Sequence, residues 1–417
     1  ASKTLGTQIS GKFSSAAPFD PIVIRAVRTD LETLACQAQF ANETVTIEMG
    51  AECKNPGSCL AGIVTVVEAG PSNQAIPTNT DNGDSNTVVA DIPITLAFNA
   101  DGEAEIEMMY TDAGEIQLYA EYDIRLNNDP AGLESGDIMF GVSDPFVVRP
   151  FGFNIDLSAN LTPTISVNAN GTAFQRAGQP FSINLQAVAY NPTDDMDGDG
   201  VPDVGADLTD NTITPNFGNE TITPTVTITH DVILPLAANQ GTLSGSTIYN
   251  NFSSGEELHT NIIFSEVGIL NLTATLSVGP GYLNSGEGIQ GNIQNIGRFT
   301  PDHYTFTMTS LENRSDLGLA CTPSSAFTYM GENMTFMFDI EARNAGEFVT
   351  SNYYGGFDKL DTNGEFVFTA LDTTTNDILT ARLDTSSSFL FGWGTTSTGT
   401  TGIGQIEGTL VHDKVVS

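Results

Sequence analysis

Apolar and polar residues alternate along most of this chain. In FSINLQAVAYN (181–191), Phe181, Ile183, Leu185, Ala187 and Ala189 fall on one side, and Ser182, Asn184, Gln186 and Tyr190 on the other. MTFMFDIEARN (334–344) repeats the pattern. A period of two belongs to a strand with one face on a core and the other in water. Turn signals (NNDP, NANG, DTNG, PGYL) separate such runs, and no long amphipathic helix interrupts them. The predicted class is all-β, a tandem array of immunoglobulin-like sandwich modules.

The strands also repeat. Set over MGENMTFMFDIEARN (330–344), AGQPFSINLQAVAYN (177–191) places Gly178 on Gly331, Ala189 on Ala342 and Asn191 on Asn344, an offset of 331 − 178 = 153. YTDAGEIQLYAEY (110–122) set over FSEVGILNLTATL (264–276) places Gly114 on Gly268, an offset of 154. An aromatic residue, an acidic turn, a glycine and an alternating strand mark the entry to the penultimate strand of such sandwiches. Two motifs with one spacing argue for homologous modules. The predicted modules are 1–147, 148–298 and 299–417. Their joints, SDPFVVRPFGFNIDLS and NIGRFTPDHYTFTM, contain no Gly/Ser-rich spacer, which predicts a stiff rod.

The second module carries an insertion, 192–213. From Asn191 to Thr214 is 23 residues, but from Asn344 to Thr350 only six, a difference of 17. The same arithmetic predicts Gly404 (268 + 153 − 17) as the penultimate-strand glycine of the third module, whose last strand is then missing or supplied from elsewhere. The insertion contains DMDGDGVPD. Ca²⁺ takes six to eight oxygens from carboxylates and carbonyls on a tightly wrapped loop. Asp195, Asp197 and Asp199 alternate, Gly200 allows the turn, Val201 offers its carbonyl, and Asp203 follows. The twelfth position is Ala206 rather than Glu, and Asp207 is placed to close the shell. The plainer alternative is a solvated acidic turn, but carboxylates this dense repel one another without a cation. No nucleophile or base lies nearby, so the expected ion is a structural clip. A second acidic stretch, NTDNGDSN (79–86) with Asp81 and Asp84, lacks the alternating spacing and reads as an ordinary loop.

Charge narrows the partners. Fourteen basic and 51 acidic residues leave a formal net charge of −37. Such a chain repels nucleic acid and anionic membranes and favours divalent cations. No 18-residue apolar run provides for membrane insertion. Of the three pairings open to four cysteines, Asn-Pro-Gly within CKNPGSC favours Cys53 with Cys59, leaving Cys36 and Cys321. The four histidines form no HExxH pair, and neither a G-x-S-x-G elbow nor a phosphate loop occurs. The single tryptophan, Trp393, reads as a core or strand-end residue, and His303 as a fixture of a module joint. The expectation is a protein without enzymatic activity.

DPFVVRPFGF (144–153), NFGNE (216–220), FSEVGILNLTA (264–274), GRFTPDHYTF (297–306) and FTYMGENMTFMFDIEARNAGEFVTSNYYGGFDKLD (327–361) resemble the large conserved domain of MshQ-like proteins. That family is associated with the mannose-sensitive haemagglutinin type IV pilus of Gram-negative bacteria. The resemblance runs over roughly 140–417, and the acidic loop is similar to thrombospondin type 3 calcium loops. It implies an exported, surface or pilus-associated β-rich protein whose signal peptide is absent from this chain. The implied partners are other pilus or surface-filament subunits, including itself, or a glycan or surface receptor. It supplies no catalytic residues. The leading expectation is an adhesin, and the rival is a filament or stalk subunit built by module or strand contacts.

Overall fold

The structure is a computed structural model that describes residues 5–14, 22–30, 32–58, 60, 64–69, 72–79, 92–123, 138–313, 328–360, 366, 368–384, 390–393 and 402–413. Among these residues there are strands and short 3-10 turns but no α-helix. This is the all-β outcome that the alternation requires. Asp81, Asp84, Cys59 and Cys321 lie outside the described residues.

The second module shows the architecture most plainly. One sheet runs in the order Gly152–Asp156, Pro180–Val188, Glu256–Phe264, Leu243–Ser244. The other runs Gln175–Arg176, Ile289–Thr300, Gly268–Leu276, Val226–Leu234, Ile248–Tyr249. Every pair is antiparallel except Gln175–Arg176 beside Ile289–Thr300. Phe181, Ile183, Leu185 and Ala187 turn inward and meet Leu270, Leu272 and Ala274 from the opposing sheet. Phe174, Phe181, Phe264 and Phe299 pack mostly edge to face at its centre.

The first module gathers ten strands into one continuous sheet around Ile47, Met49, Ile94, Ile106, Met108 and Leu118. Its Gln8–Ile9 runs parallel to Phe146–Arg149, as Gln175–Arg176 does to Ile289–Thr300. In the third module His303–Asn313, Asn333–Arg343, Ile403–His412 and Leu383–Asp384 repeat the order of the first sheet of the second module, and a fifth strand, Leu390–Trp393, also pairs with Ile403–His412. Three backbone bonds prove the equivalence. Ala26 donates to Gly102, Ala187 to Gly255 and Ala342 to Gly402, at 2.8, 2.9 and 2.9 Å.

These bonds correct two expectations. Ala342 matches Ala187, not Ala189, so the offset at the end of this strand is 342 − 187 = 155. Between the turn glycine and the alanine, the third-module strand is two residues longer. Ile403–His412 pairs with Asn333–Arg343, as Glu256–Phe264 pairs with Pro180–Val188. Gly404 therefore belongs to the strand before the penultimate one. Among the described residues, the third module has no counterpart of the second sheet.

Candidate metal loop and the module joints

The insertion does not project from the module. It folds back onto the joint with the first module. Leu208 sits on an apolar floor of Ile9, Phe151 and Val188, flanked by Tyr190 and Ala206. Asn191 caps a 3-10 turn at Pro192–Asp194, and Asp203 N–H donates to the Asp194 carbonyl to close the loop. Gly198 and Gly200, at φ +78° and +83°, adopt the left-handed backbone that the wrap needs.

Within this loop the carboxylate oxygens of Asp195, Asp197 and Asp199 converge to within 4.8 Å of one another. Asp195 is buried, while Asp197 and Asp199 are exposed. Lys12 of the first module donates from Nζ to Asp195 Oδ2 at 2.8 Å, with both side chains at most 2% exposed. The same ammonium lies 4.6 Å from the centre of the Tyr190 ring. Gly200 N–H points at both Asp195 oxygens, at 3.2 and 3.3 Å. Arg149, at the end of the strand Phe146–Arg149, donates from Nη2 to the Gly200 carbonyl at 2.8 Å. Asp199 accepts from Val201 N–H at 2.8 Å, and Asp203 accepts from Met196 N–H at 3.0 Å. Asp203 and Asp207 are not part of the converging group. Asp207 caps the next 3-10 turn, accepting from the Thr209 backbone and hydroxyl, instead of closing the shell. Three hard oxygen donors on a tight loop fit a divalent cation. Lys12 pairs with one of the three carboxylates, and the other two, Asp197 and Asp199, face solvent.

The sequence reading missed the joint chemistry. Asp112, on the turn before the Gly114 strand, accepts from the backbone N–H of Asn216 in the second module at 3.0 Å. Asn216 Nδ2 also donates to Tyr110 Oη at 3.1 Å. At the second joint Glu266 takes the place of Asp112 and Asn352 that of Asn216, with Asn352 N–H donating to Glu266 at 3.2 Å. Ser10 accepts from Tyr190 N–H at 2.8 Å, and Ala177 accepts from Ala345 N–H at 2.9 Å. The two joints thus share one plan. Gly11 and Gly178 end the presenting turns, and a Cβ on Gly178 would lie 2.8 Å from the Ala345 nitrogen. The signal for this plan was present in the aligned TDAG and SEVG, read only as strand entries.

Burial raises the Asp112 carboxyl to about 6, and the nearby Glu220 adds to that shift. Glu220 and Glu266 are likewise pushed up by burial. Tyr282 donates its hydroxyl to Glu220 beneath the joint. His303 bridges Asp302 at 3.0 Å and Glu347 at 3.2 Å, and the Asp302 bond leads in raising its pKa. Both partners lie on the third-module side of the joint, within the predicted bounds 299–417. Trp393 packs edge-on against Tyr353 and donates to the Leu360 carbonyl, a partly buried strand-end residue. Cys53 is buried and Cys36 is exposed and free.

Three sequence models of one family cover nearly the whole chain: "Domain of unknown function (DUF6701), first Ig-like domain" over 3–140, its second domain over 149–262, and its third domain over 266–410. The chain belongs to the DUF6701 family. The family division at 262–266 falls before Gly268–Leu276 and Ile289–Thr300, which here complete the second sandwich. No curated protein matches the chain. A crystal structure of invasin, a bacterial integrin-binding protein, is similar at 13% identity with a TM-score of 0.24. The match covers 94% of this chain and 55% of invasin, so the chain spans about half of that protein's length. A likeness that loose carries no argument.

Proposed function

We propose that this DUF6701 chain is a non-enzymatic, adhesin-like surface protein, a stiff rod of three immunoglobulin-like modules clipped by a structural Ca²⁺. The observation that carries the reading is the repeated joint. Asp112–Asn216 and Glu266–Asn352 fix successive modules through the same backbone contacts. Flexible linkers leave module orientation free, whereas bonded joints hold it. A rod displaying its far end suits adhesion to a glycan or surface receptor, and the MshQ-like resemblance supports a pilus-associated role on a Gram-negative cell. In this reading the ion is held by the converging Asp195, Asp197 and Asp199, with the Val201 carbonyl completing the shell and Asp203 joining only if it moves toward them.

Calorimetry on EDTA-stripped protein tests the ion. Ca²⁺ binding should vanish in Asp197→Ala/Asp199→Ala, and no heat with the unaltered chain sinks the calcium claim. Small-angle scattering tests the rod. An elongated particle whose dimensions vary little with salt is expected, and broad interdomain distributions refute the reading.

The third module supports a second reading, a filament subunit joined by strand contacts. Phe306 and Met308 on its edge strand are 59% and 57% exposed, whereas Ile155, which matches Phe306 by register in the second module, is 3% exposed. Exposed apolar edge strands invite pairing with another chain. Regular fibres in negative-stain microscopy would favour this reading over a monodisperse adhesin.

A further inference from the structure

The two joints differ in one respect. At the first, the surface formed by Ile9, Phe151 and Val188 is roofed by the acidic insertion. Backbone equivalence places Arg176, Asp302 and Arg343 at those three positions of the second joint. The third module has no insertion, and beside two of these positions, Arg176 and Asp302, lies an open groove of about 310 Å³ lined also by Arg298, Lys359, Thr300 and Tyr304 among others. Three of the chain's 14 basic residues thus converge with a single carboxylate, Asp302, in a chain of 51 acidic residues.

Their donors are only partly used. Arg298 commits Nε to the Gly171 carbonyl at 3.1 Å, and Lys359 gives one ammonium proton to Asn170 Oδ1 at 2.7 Å. Arg176 stands 3.8 Å from Asp302 with its side chain 64% exposed. Asp302 is already bonded to His303 and Gln179. With three cations and one carboxylate, the lining carries 3 − 1 = 2 positive charges. Guanidinium groups with open Nη donors match carboxylates in a bidentate manner.

The first joint shows what such a place accepts. There a lysine and an arginine, Lys12 and Arg149, hold an Asp-rich peptide loop by a carboxylate and a carbonyl. We propose that the groove at the second joint binds an acidic, carboxylate-rich peptide segment of a partner chain. The chain's own acidic insertion is seated at the first joint by the buried Lys12–Asp195 pair, so the segment comes from another molecule. This inference stands apart from the surface-rod reading and needs no metal.

The probe is a fluorescent peptide with the sequence of residues 194–210, titrated with the full chain in EDTA and followed by anisotropy. Saturable binding is expected, weakened at least ~10-fold by Arg176→Ala/Lys359→Ala, since each lost charge-assisted bond is worth more than a neutral one. Arg176→Lys/Lys359→Arg should retain binding, and the same peptide with every Asp replaced by Asn should not bind. Circular dichroism checks that the alanine variant is folded. The proposal is overturned if there is no saturation up to ~1 mM peptide. It is overturned equally by undiminished binding of the Asn peptide. Binding of glucuronate with no binding of the peptide would assign the groove to anionic sugars and overturn it too.

Discussion

Replacing Asp112 with Asn tests how the first joint is held. The carboxyl is 1% exposed and titrates near 6 in the folded chain, against an ordinary 3.8. Its Oδ1 accepts from Asn216 and Ala113 N–H, while Oδ2 is buried without a hydrogen-bond partner. Burial, assisted by Glu220, outweighs those two bonds. A carboxyl raised on folding binds its proton more tightly in the folded state. Its contribution is therefore full below the unfolded value and is lost as pH rises through about 6. Two units correspond to ~3 kcal/mol across that window. Asn keeps the Oδ1 acceptor and removes the charge, but its buried amide needs a partner, which costs ~1–3 kcal/mol unless Glu220 accepts it. The net expectation at pH 8 is a joint no less stable and up to ~2 kcal/mol more stable, ~3 if Glu220 accepts the amide, with a flatter pH profile. Hydrogen exchange of peptides covering 108–123 and 212–222, corrected for intrinsic rates, reads local opening at pH 5 and pH 8. An Asp112→Asn joint with the wild-type pH dependence, or one less protected at pH 8, refutes the reasoning.

The other expected outcomes concern the remaining fixtures. Lys12→Met strips Asp195 of its buried partner and should cost ~3–5 kcal/mol in EDTA, seen as earlier denaturant unfolding of the first two modules. If a cation occupies the loop, excess Ca²⁺ should restore part of that loss in Lys12→Met, a rescue absent from the further variant Lys12→Met/Asp197→Ala/Asp199→Ala. Gly178→Ala places a Cβ against Ala345 at φ +83° and should open the second joint at a cost of at least ~1 kcal/mol, shown by faster limited proteolysis near Pro301. Alkylation without reductant should label Cys36 and Cys321 but neither Cys53 nor Cys59 until reductant is added, and immediate labelling of all four would end the proposed pairing.

The strands were legible because alternation states both their period and their buried face. Phe181, Ile183, Leu185 and Ala187 are each at most 2% exposed, as that pattern requires. The same periodicity concealed the register error. Sliding a strand by two residues preserves every inward position, so matching Ala189 or Ala187 to Ala342 gives the same apolar face. Only the bonds to Gly255 and Gly402 separate the two. The Thr214 and Thr350 hydroxyls reach back 27 and 8 residues to Ala187 and Ala342, so the second-module segment exceeds its third-module counterpart by 27 − 8 = 19 residues, not 17. Misplacing Gly404 came from carrying one offset through segments of different length.

The joints were illegible for another reason. Asp112, Glu266, Lys12 and Arg149 act across modules, and no local pattern says which remote backbone a carboxylate will cap. A trace was nevertheless present in the composition of paired positions. Where the insertion exists, the floor is Ile9, Phe151 and Val188; where it is absent, the matching floor is Arg176, Asp302 and Arg343. Apolar floor and covering loop need one another, because uncovered apolar surface costs roughly 25 cal/mol per Å² and an apolar roof over charged side chains leaves them desolvated. The acidic insertion is therefore one half of an intermodule contact as well as a candidate ion clip. Asp195 has two tasks, facing Lys12 and joining Asp197 and Asp199. Removing Lys12 separates them, since a loop held only by its ion should leave the floor when chelated, whereas one held only by the joint should be indifferent to Ca²⁺.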